Sequence, residues 1–446
     1  MKRPVISAIS LIFVLALSLN LHAQPEVSER NEVAIFSLGF YGYDIPVEAL
    51  STIDIEIQRV FIDLGRFTIM GMTQRFDSAS VNDFIDSIKR SKEENFVMPD
   101  KFLFGEAFFT DAEYNKLMGA FIIAVPVVTS FNSELVENDW KTDIKTNVSF
   151  INVQDGTLMG IANVESSGSS RETQFKSIKS AIDNIPMQLQ YEIRKIPAFQ
   201  LRTKVLEAKG SRVELMMGSG MGIKVGDEYA IKKVVQIGEI TDESEVGLIL
   251  IKEVRENSST GTVLYTRMKP GADTQLQEIP RLGADTAVYL HYSKYFNIPG
   301  LMNPENAGAL IAGARAELTR GFYNFRPYAA VEVVADLAKW FPINIVVGGQ
   351  YSMYLGRLEL GGRVGIAGSA NVVVNLLEDE FAEDDDKWFT HYGVSGGAYL
   401  SFLINRNTKI FAEVQADLLF GLFDGFAEPF NNFGGYGAGL GITFKL

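Results

Sequence analysis

The chain has no cysteine, and only three of its 446 residues are histidine. Without cysteine it has no disulfide, no thiolate metal site, no cysteine nucleophile and no attachment point for the lipid of a bacterial lipoprotein. Three histidines leave little material for metal binding or acid–base catalysis. The net charge of −14 argues against general nucleic-acid binding, because that requires a basic surface.

Long apolar runs are also missing beyond the N-terminus. After residue 23 no stretch holds 18 uninterrupted apolar residues, so membrane contact would have to come from a β-barrel or an amphipathic segment. Residues 1–23 differ, because Lys2 and Arg3 precede an apolar run over Val5–Leu19 and the small Ala23 suits cleavage. This pattern predicts a secretory signal peptide. The alternative is a membrane anchor, which needs about 20 apolar residues, more than the run provides.

Residues 31–197 combine helical and strand patterns and predict an α/β domain. Apolar residues at helical spacing predict a helix over Val47–Leu64, and Asp155-Gly156 between two alternating runs predicts a hairpin. Further predicted elements are a helix over Ser80–Lys92, a strand over Phe102–Phe109 and a helix over Arg171–Ile193 that Pro186 kinks or breaks. The run Leu117–Val128 fits a buried strand, a core helix or a segment that meets lipid.

Three phrases in this block carry a family resemblance: Val33-Ala34-Ile35-Phe36, Gly65-Arg66-Phe67-Thr68-Ile69 and Phe150-Ile151-Asn152-Val153-Gln154-Asp155-Gly156-Thr157. With the element order, they resemble the periplasmic α/β domain of the curli-secretion-channel (CsgG) family, and the penicillin-binding-protein activator and TolB N-terminal folds are similar. The resemblance implies a periplasmic domain and no catalytic motif. The channel-forming members are lipoproteins, whereas this chain has no cysteine to lipidate.

Residues 198–282 carry short strand patterns separated by glycine and aspartate turns, which predicts a small, SH3-like β-barrel. The phrase Gly222-Ile223-Lys224-Val225-Gly226-Asp227-Glu228-Tyr229 resembles the C-terminal module of the flagellar assembly T-protein family. Gly218, Gly220 and Gly222 suggest a nucleotide loop, but a dinucleotide site places its glycines between a strand and a helix. Strands are predicted on both sides here, so we interpret these residues as turn glycines.

The last block, residues 283–446, alternates with a period of two. In its final strand Leu440 and Ile442 fall on one face and Gly439 and Gly441 on the other. Eight such runs lie near 284–296, 307–318, 325–337, 342–354, 357–373, 389–403, 408–421 and 433–446. This predicts an eight-stranded antiparallel transmembrane β-barrel whose edges all pair, as lipid requires. Leu440 should face lipid, and Gly439 should face a packed interior that accepts serine there but not leucine.

The barrel block also predicts a location. Phe444-Lys445-Leu446 resembles the C-terminal signal of bacterial outer-membrane barrels, with leucine where an aromatic is usual. In size and patterning the block resembles small eight-stranded barrels of the outer-membrane-protein A type. Long and short connections alternate except around 338–341, and this pattern places residues 31–282 on the short-turn, periplasmic side. A soluble β-sandwich is the alternative, because it alternates in the same way.

Charged residues at inward positions of the predicted barrel form the candidate site. They are Arg315, Glu317, Glu332, Asp336, Glu359, Arg363, Glu413 and Asp417. We interpret them as an ion-pair network that fills a narrow lumen, where buried charge must be paired; the paired carboxylates of a hydrolase are the alternative. The acidic run 377–387 lacks the ligand pattern of a calcium loop and is expected to be a solvated external loop. No catalytic motif, cofactor site or metal site is predicted.

Together these features predict a non-enzymatic, outer-membrane-anchored envelope protein. Its barrel contacts outer-membrane lipid, and its periplasmic modules bind protein partners, with other copies of the chain as one option, in envelope assembly or secretion. Three alternatives stay open: an oligomeric export channel, a soluble periplasmic scaffold, and a surface adhesin that uses the loops 297–306, 374–388 and 422–432. No cofactor and no nucleic-acid partner are expected.

Overall fold

The computed structural model describes residues 27–40, 45–75, 102–104, 107–109, 121–237, 240–298, 302, 308–335, 342–371, 391–421 and 432–446. Several predicted features lie outside these residues. They are the signal peptide over residues 1–23, the helix over Ser80–Lys92, the inward charge Asp336 and the acidic run 377–387.

A mixed β-sheet with helices on one face forms the first unit. Its strands are β1 (Asn31–Ser37), β2 (Gly39–Phe40), β3 (Phe67–Arg75), β6 (Ile122–Val136), β7 (Asp139–Asn152) and β8 (Leu158–Ser170), while β4 (Phe102–Phe104) and β5 (Ala107–Phe109) pair separately. The order is β3-β1-β6-β7-β8, with β1 parallel to β3 and β6, and β6, β7 and β8 antiparallel. The helices are α1 (Val47–Leu64), α2 (Gln174–Asp183) and α3 (Ile185–Lys195). Their apolar stripes share one core with the sheet.

Pro186 breaks the helix predicted over Arg171–Ile193, which is one of the two outcomes expected there. Two helices form, because Pro186 occupies the first turn of α3, where its missing N–H costs nothing. Another element of this unit differs from the prediction. The segment Phe102–Phe109 forms two antiparallel strands rather than one, with a glycine in the two-residue connection. From Ile122 onward, the run Leu117–Val128 is the buried strand β6 between β1 and β7.

A closed six-stranded barrel follows, so the prediction of a small barrel is confirmed. Its strands are β9 (Arg202–Lys209), β10 (Arg212–Leu215), β11 (Glu228–Ile237), β12 (Ile240–Val254), β13 (Ser259–Thr266) and β14 (Gln275–Ile279), closed in the order β10-β13-β12-β11-β14-β9. The interior is apolar, with Val213, Tyr229 and Ile249 each fully buried.

The C-terminal block closes into an eight-stranded antiparallel barrel, as predicted. Its strands are β15 (Ala284–Tyr295), β16 (Gly308–Leu318), β17 (Phe325–Ala335), β18 (Pro342–Leu355), β19 (Leu358–Asn371), β20 (His391–Asn405), β21 (Thr408–Gly421) and β22 (Phe433–Lys445). Each strand pairs with the next, and β15 pairs with β22 to close the ring. The short turns after β16, β18 and β20 meet at one end, beside the six-stranded barrel.

Candidate functional site

The outer wall of the eight-stranded barrel is apolar. Val364, Ile366 and Leu440 are 65%, 71% and 69% exposed, and most exposed large hydrophobic side chains of the described residues lie on these eight strands. Within the described parts of the strands, Lys294 near the end of β15 is the one charged side chain that points outward. A wall of this kind is poorly suited to water, since large exposed apolar patches on proteins mark contact with another apolar phase or a partner.

The lumen has the opposite character, and Glu413 lies at the centre of one of its charge clusters. Arg363 and His291 contact the Glu413 carboxylate, and Nη1 of Arg315 lies 3.3 Å from its Oε2. Arg315 also stacks over the rings of Tyr289 and Phe411, at 4.9 and 5.1 Å from their centroids. The cluster therefore pairs a buried carboxylate with cations that are themselves held by aromatic faces.

A second cluster fills the lumen nearer the short turns. Nζ of Lys409 lies 2.8 Å from Glu359 and 3.8 Å from Asp285, and the Tyr399 hydroxyl donates to Glu359 at 3.2 Å. Beside it, Arg326 lies 3.4 Å from Glu317. Every one of these charged side chains is at least nine-tenths buried, so each depends on its partner rather than on water.

The half of the lumen nearer the long connections is composed differently. The Tyr289 hydroxyl donates to Oε1 of Glu332 at 2.9 Å, and the Gln415 amide donates to the same oxygen at 3.0 Å. The Gln415 amide also donates to Asp417 at 3.0 Å. Two carboxylates are thus joined by a neutral side chain, not by a cation.

Seven of the eight inward charges predicted from the sequence lie inside the barrel, and Asp336 is outside the described residues. Arg315, Arg363 and Glu413 come together, whereas Glu317 and Glu359 take partners that the sequence pattern did not single out. Those partners are Arg326 and Lys409. The signal for them is present in the sequence, because each has the inward parity of its own strand.

A buried ionic junction, which the sequence motifs do not reveal, joins the first unit to the six-stranded barrel. Nη1 of Arg66 lies 2.7 Å from Glu278, and Nε of Arg194 lies 2.6 Å from the other oxygen of the same carboxylate. The Leu201 N–H donates to Glu278 at 3.1 Å. Burial raises the pKa of Glu278, but the two guanidinium groups outweigh it and hold this pKa well below its usual value of 4.5. The one sequence signal is parity, since Glu278 shares the inward face of β14 with buried Leu276.

The same junction reaches the eight-stranded barrel. Asp227 accepts from Arg194 at 3.1 Å and from Arg320, in the turn after β16, at 2.9 Å. Glu228 lies 3.0 Å from Arg281, in the linker before β15, and it also contacts Lys445 of β22. Burial raises the pKa of Glu228, and these two cations more than offset it and lower the pKa. The three units therefore meet through buried, mutually compensating charges.

Two glycines at predicted turns mark close approaches between units. Gly222 has φ +78°, and a Cβ there would lie 1.8 Å from the carbonyl oxygen of Leu64 at the end of α1. Gly226 has φ +84°, and a Cβ there would lie 2.0 Å from the carbonyl oxygen of Thr319 in the turn after β16. Only glycine fits both the backbone angle and the space.

Two other kinds of feature are absent from the described residues. No helix among them has the length and apolar character needed to cross a membrane. No group of three or more His, Cys, Asp or Glu side chains among them is arranged to hold a metal ion.

Comparison with known proteins gives matches in structure but none in sequence. No protein-family model matches the chain, and a search of curated proteins gives no match. Neisserial surface protein A has a TM-score of 0.28 at 12% identity, covering 37% of this chain and 97% of that one. The Yersinia pestis outer membrane protein Ail has a TM-score of 0.21 at 11% identity, covering 36% and 99%. The PelC dodecamer from Paraburkholderia phytofirmans has a TM-score of 0.24 at 13% identity, covering 37% and 91%.

The first two matches are small eight-stranded outer-membrane β-barrel proteins. Because all three TM-scores lie below 0.5 and all three identities are 13% or lower, these likenesses say nothing about what this chain binds.

Proposed function

We propose that this protein is a non-enzymatic component of a bacterial outer membrane, anchored there by its eight-stranded barrel. The outward apolar wall supports the proposal most strongly. Lipid would cover these exposed apolar side chains. Burying each large one fully stabilises the protein by roughly 1.5–3 kcal/mol. The strands have 11 to 15 residues, so each reaches or exceeds the 9–11 that a tilted strand needs to cross a bilayer. A soluble scaffold would leave this wall in water.

The barrel acts as an anchor rather than as a pore in this proposal. An eight-stranded barrel has an interior just wide enough for side chains. Among Asp285, Arg315 and Glu359 the remaining cavity is about 20 Å³, room for about one water molecule. The oligomeric export channel would have to conduct through a path other than this lumen.

The first unit and the six-stranded barrel then lie on the periplasmic side. This follows if the short turns face the periplasm, as is usual for outer-membrane barrels, because the six-stranded barrel packs against that end. The Gly321 N–H donates to the Val225 carbonyl at 2.6 Å, and Leu403 packs with Leu250 and Leu264. The buried junction holds these units close to the membrane surface.

Partner binding belongs to the first unit in this proposal. Strand β8 has thirteen residues and lies at the end of the sheet order, with β7 as its one strand neighbour among the described residues. An edge strand offers unpaired N–H and C=O groups to which another chain can add a strand. The partner is an envelope protein or a second copy of this chain.

Membrane fractionation tests the anchor. The wild-type protein should stay in the outer membrane after a carbonate wash and should migrate differently on a gel when unboiled. Leu440→Arg should reduce this folded, membrane-bound fraction. Leu135→Arg is a matched control, because Leu135 is 55% exposed on β6, outside the barrel, and should fractionate like wild type. Recovery of wild-type protein in the soluble periplasmic fraction would refute the proposal.

A further inference from the structure

The two halves of the barrel lumen are unequally compensated. Towards the short turns, Asp285, Glu317, Glu359 and Glu413 lie among Arg315, Arg326, Arg363, Lys409 and Lys445. Towards the long connections, Glu332 and Asp417 are 1% and 8% exposed, and neither has an ion pair with a described lysine or arginine. Two buried carboxylates without a cation are costly in a low-dielectric interior.

Two buried acceptor atoms at and beside Glu332 have no donor, whereas both oxygens of Asp417 accept from Gln415. Oε2 of Glu332 is buried and has no hydrogen-bond partner. Asn344 is directly opposite Glu332 in the β17–β18 register, is 3% exposed, and its Oδ1 is also unpartnered. Facing residues on one side of a sheet bring their Cβ atoms to about 5 Å. Two lone acceptors are therefore adjacent, and neither can satisfy the other.

We propose that Glu332, Asn344 and Asp417 bind one hard divalent cation, Ca²⁺ or a similar ion, in the loop-side half of the lumen. Two carboxylates and an amide carbonyl supply the oxygen ligands that Ca²⁺ takes, and water completes its six to eight ligands. The cation neutralises the two charges, and it uses the acceptors of Glu332 and Asn344 that no donor reaches. Gln415, on the same strand as Asp417, already links Glu332 and Asp417 through its amide.

This site goes beyond the anchoring function and does not depend on it. The ligands belong to the closed barrel wherever the barrel is located. The set contains two carboxylates and an amide, so it differs from a cluster of three acidic or histidine ligands, of which the described residues contain none. Bound to three different strands, β17, β18 and β21, the ion would cross-link the barrel wall.

Calorimetric titration of the purified full-length protein with Ca²⁺, in detergent micelles after chelator treatment, tests the site. We expect one saturable site per chain. Glu332→Gln should weaken the binding at least ten-fold. Asn344→Asp adds a ligand charge and should strengthen it. A variant with Asp384, Asp385 and Asp386 all changed to Asn removes carboxylates of the acidic run and should leave the site intact. Mobility on unboiled gels confirms that each variant is folded.

Any of four results would overturn the proposal. The first is the absence of saturable binding to the wild-type protein. The second is equal affinity of wild type and Glu332→Gln, and the third is loss of binding in the acidic-run variant alone. The fourth is unchanged or weaker binding by Asn344→Asp, because it would mean that Asn344 donates its amide N–H to Glu332 instead of ligating an ion. If Glu332→Gln does not fold, Asn344→Asp decides the question alone.

Discussion

The two barrels of this chain have their apolar side chains on opposite faces. In the six-stranded barrel, Val213, Tyr229 and Ile249 fill the interior. In the eight-stranded barrel the interior is filled by charged side chains such as Glu359 and Lys409, and large apolar side chains point outward. Both barrels pair every strand edge, so closure alone does not determine which face is apolar.

With the eight-stranded barrel in lipid, as proposed above, the surrounding phase explains the difference. A barrel in water hides its apolar side chains inside, because burial is favourable by roughly 25 cal/mol per Å² of apolar surface. A barrel in lipid gains the same free energy from its outer wall, and polar side chains can then fill the interior if they are paired. A charge introduced on the outer wall should therefore destabilise the eight-stranded barrel strongly and the six-stranded barrel little.

The largest effect is expected inside the six-stranded barrel. Ile249 is fully buried among apolar side chains, and Ile249→Arg would place an unpaired charge there. We expect a loss of about 4 kcal/mol or more, enough to unfold this barrel. Limited proteolysis of the detergent-solubilised protein should then cut within residues 202–279. Wild-type protease resistance would contradict the assignment of this interior as a dry apolar core.

The next effect compares the outer walls directly. Val234 on β11 and Leu440 on β22 are 39% and 69% exposed. Leu440→Arg should cost about 2–4 kcal/mol, because it places a charge against the bilayer. Val234→Arg should change stability by less than about 0.5 kcal/mol, because its wall faces water. Urea unfolding followed by mobility on unboiled gels measures both. Equal tolerance at the two positions would remove the distinction between the barrels.

A smaller effect is expected from filling the lumen, and here the structure corrects the sequence-based expectation that serine is tolerated at position 439. A Cβ on Gly439 would lie 1.9 Å from the His291 ring and 2.4 Å from the Leu290 carbonyl oxygen. Gly439→Ser should therefore destabilise the barrel by about 1–3 kcal/mol. Gly362→Ser is the control, because the nearest atom to a Cβ at that outward position is 3.5 Å away. Urea midpoints that match for the two variants would contradict the packed lumen.

Alternation along the strands predicts which side chains enter the lumen but not how they pair. A period of two identifies which residues of a strand share a face, so the alternation alone is enough to assign Glu413 and Arg363 to the lumen. The period does not say which side chains meet, because that depends on register across several strands: Arg363 on β19 reaches Glu413 on β21, across β20.

Contacts between units are harder still to predict. Arg66, Arg194 and Glu278 are far apart in the chain: Arg66 lies in the bend before β3, Arg194 in α3 and Glu278 in the six-stranded barrel. The inward position of Glu278 beside Leu276 signals a buried partner but not its identity. Nothing in local spacing could bring the three together, because their meeting depends on how separately folded units pack.

The smallest effect expected is a response to acid at Glu278, where the first unit meets the six-stranded barrel. The pKa of Glu278 in the folded protein lies well below 4.5, so as pH falls the unfolded chain takes up this proton first. The stabilisation by the carboxylate is therefore complete above about pH 4.5 and is lost progressively below it.

Lowering the pH from 5 to 3 should speed hydrogen exchange of the Leu201 amide, which donates to Glu278, relative to amides of β12 and β13. Glu278→Gln has no such charge to lose, so its exchange at this amide should already be fast at pH 5 and, after correction for intrinsic exchange rates, should change little towards pH 3. An equal acid response in wild type and Glu278→Gln would show that the ionised carboxylate is not what holds the units together.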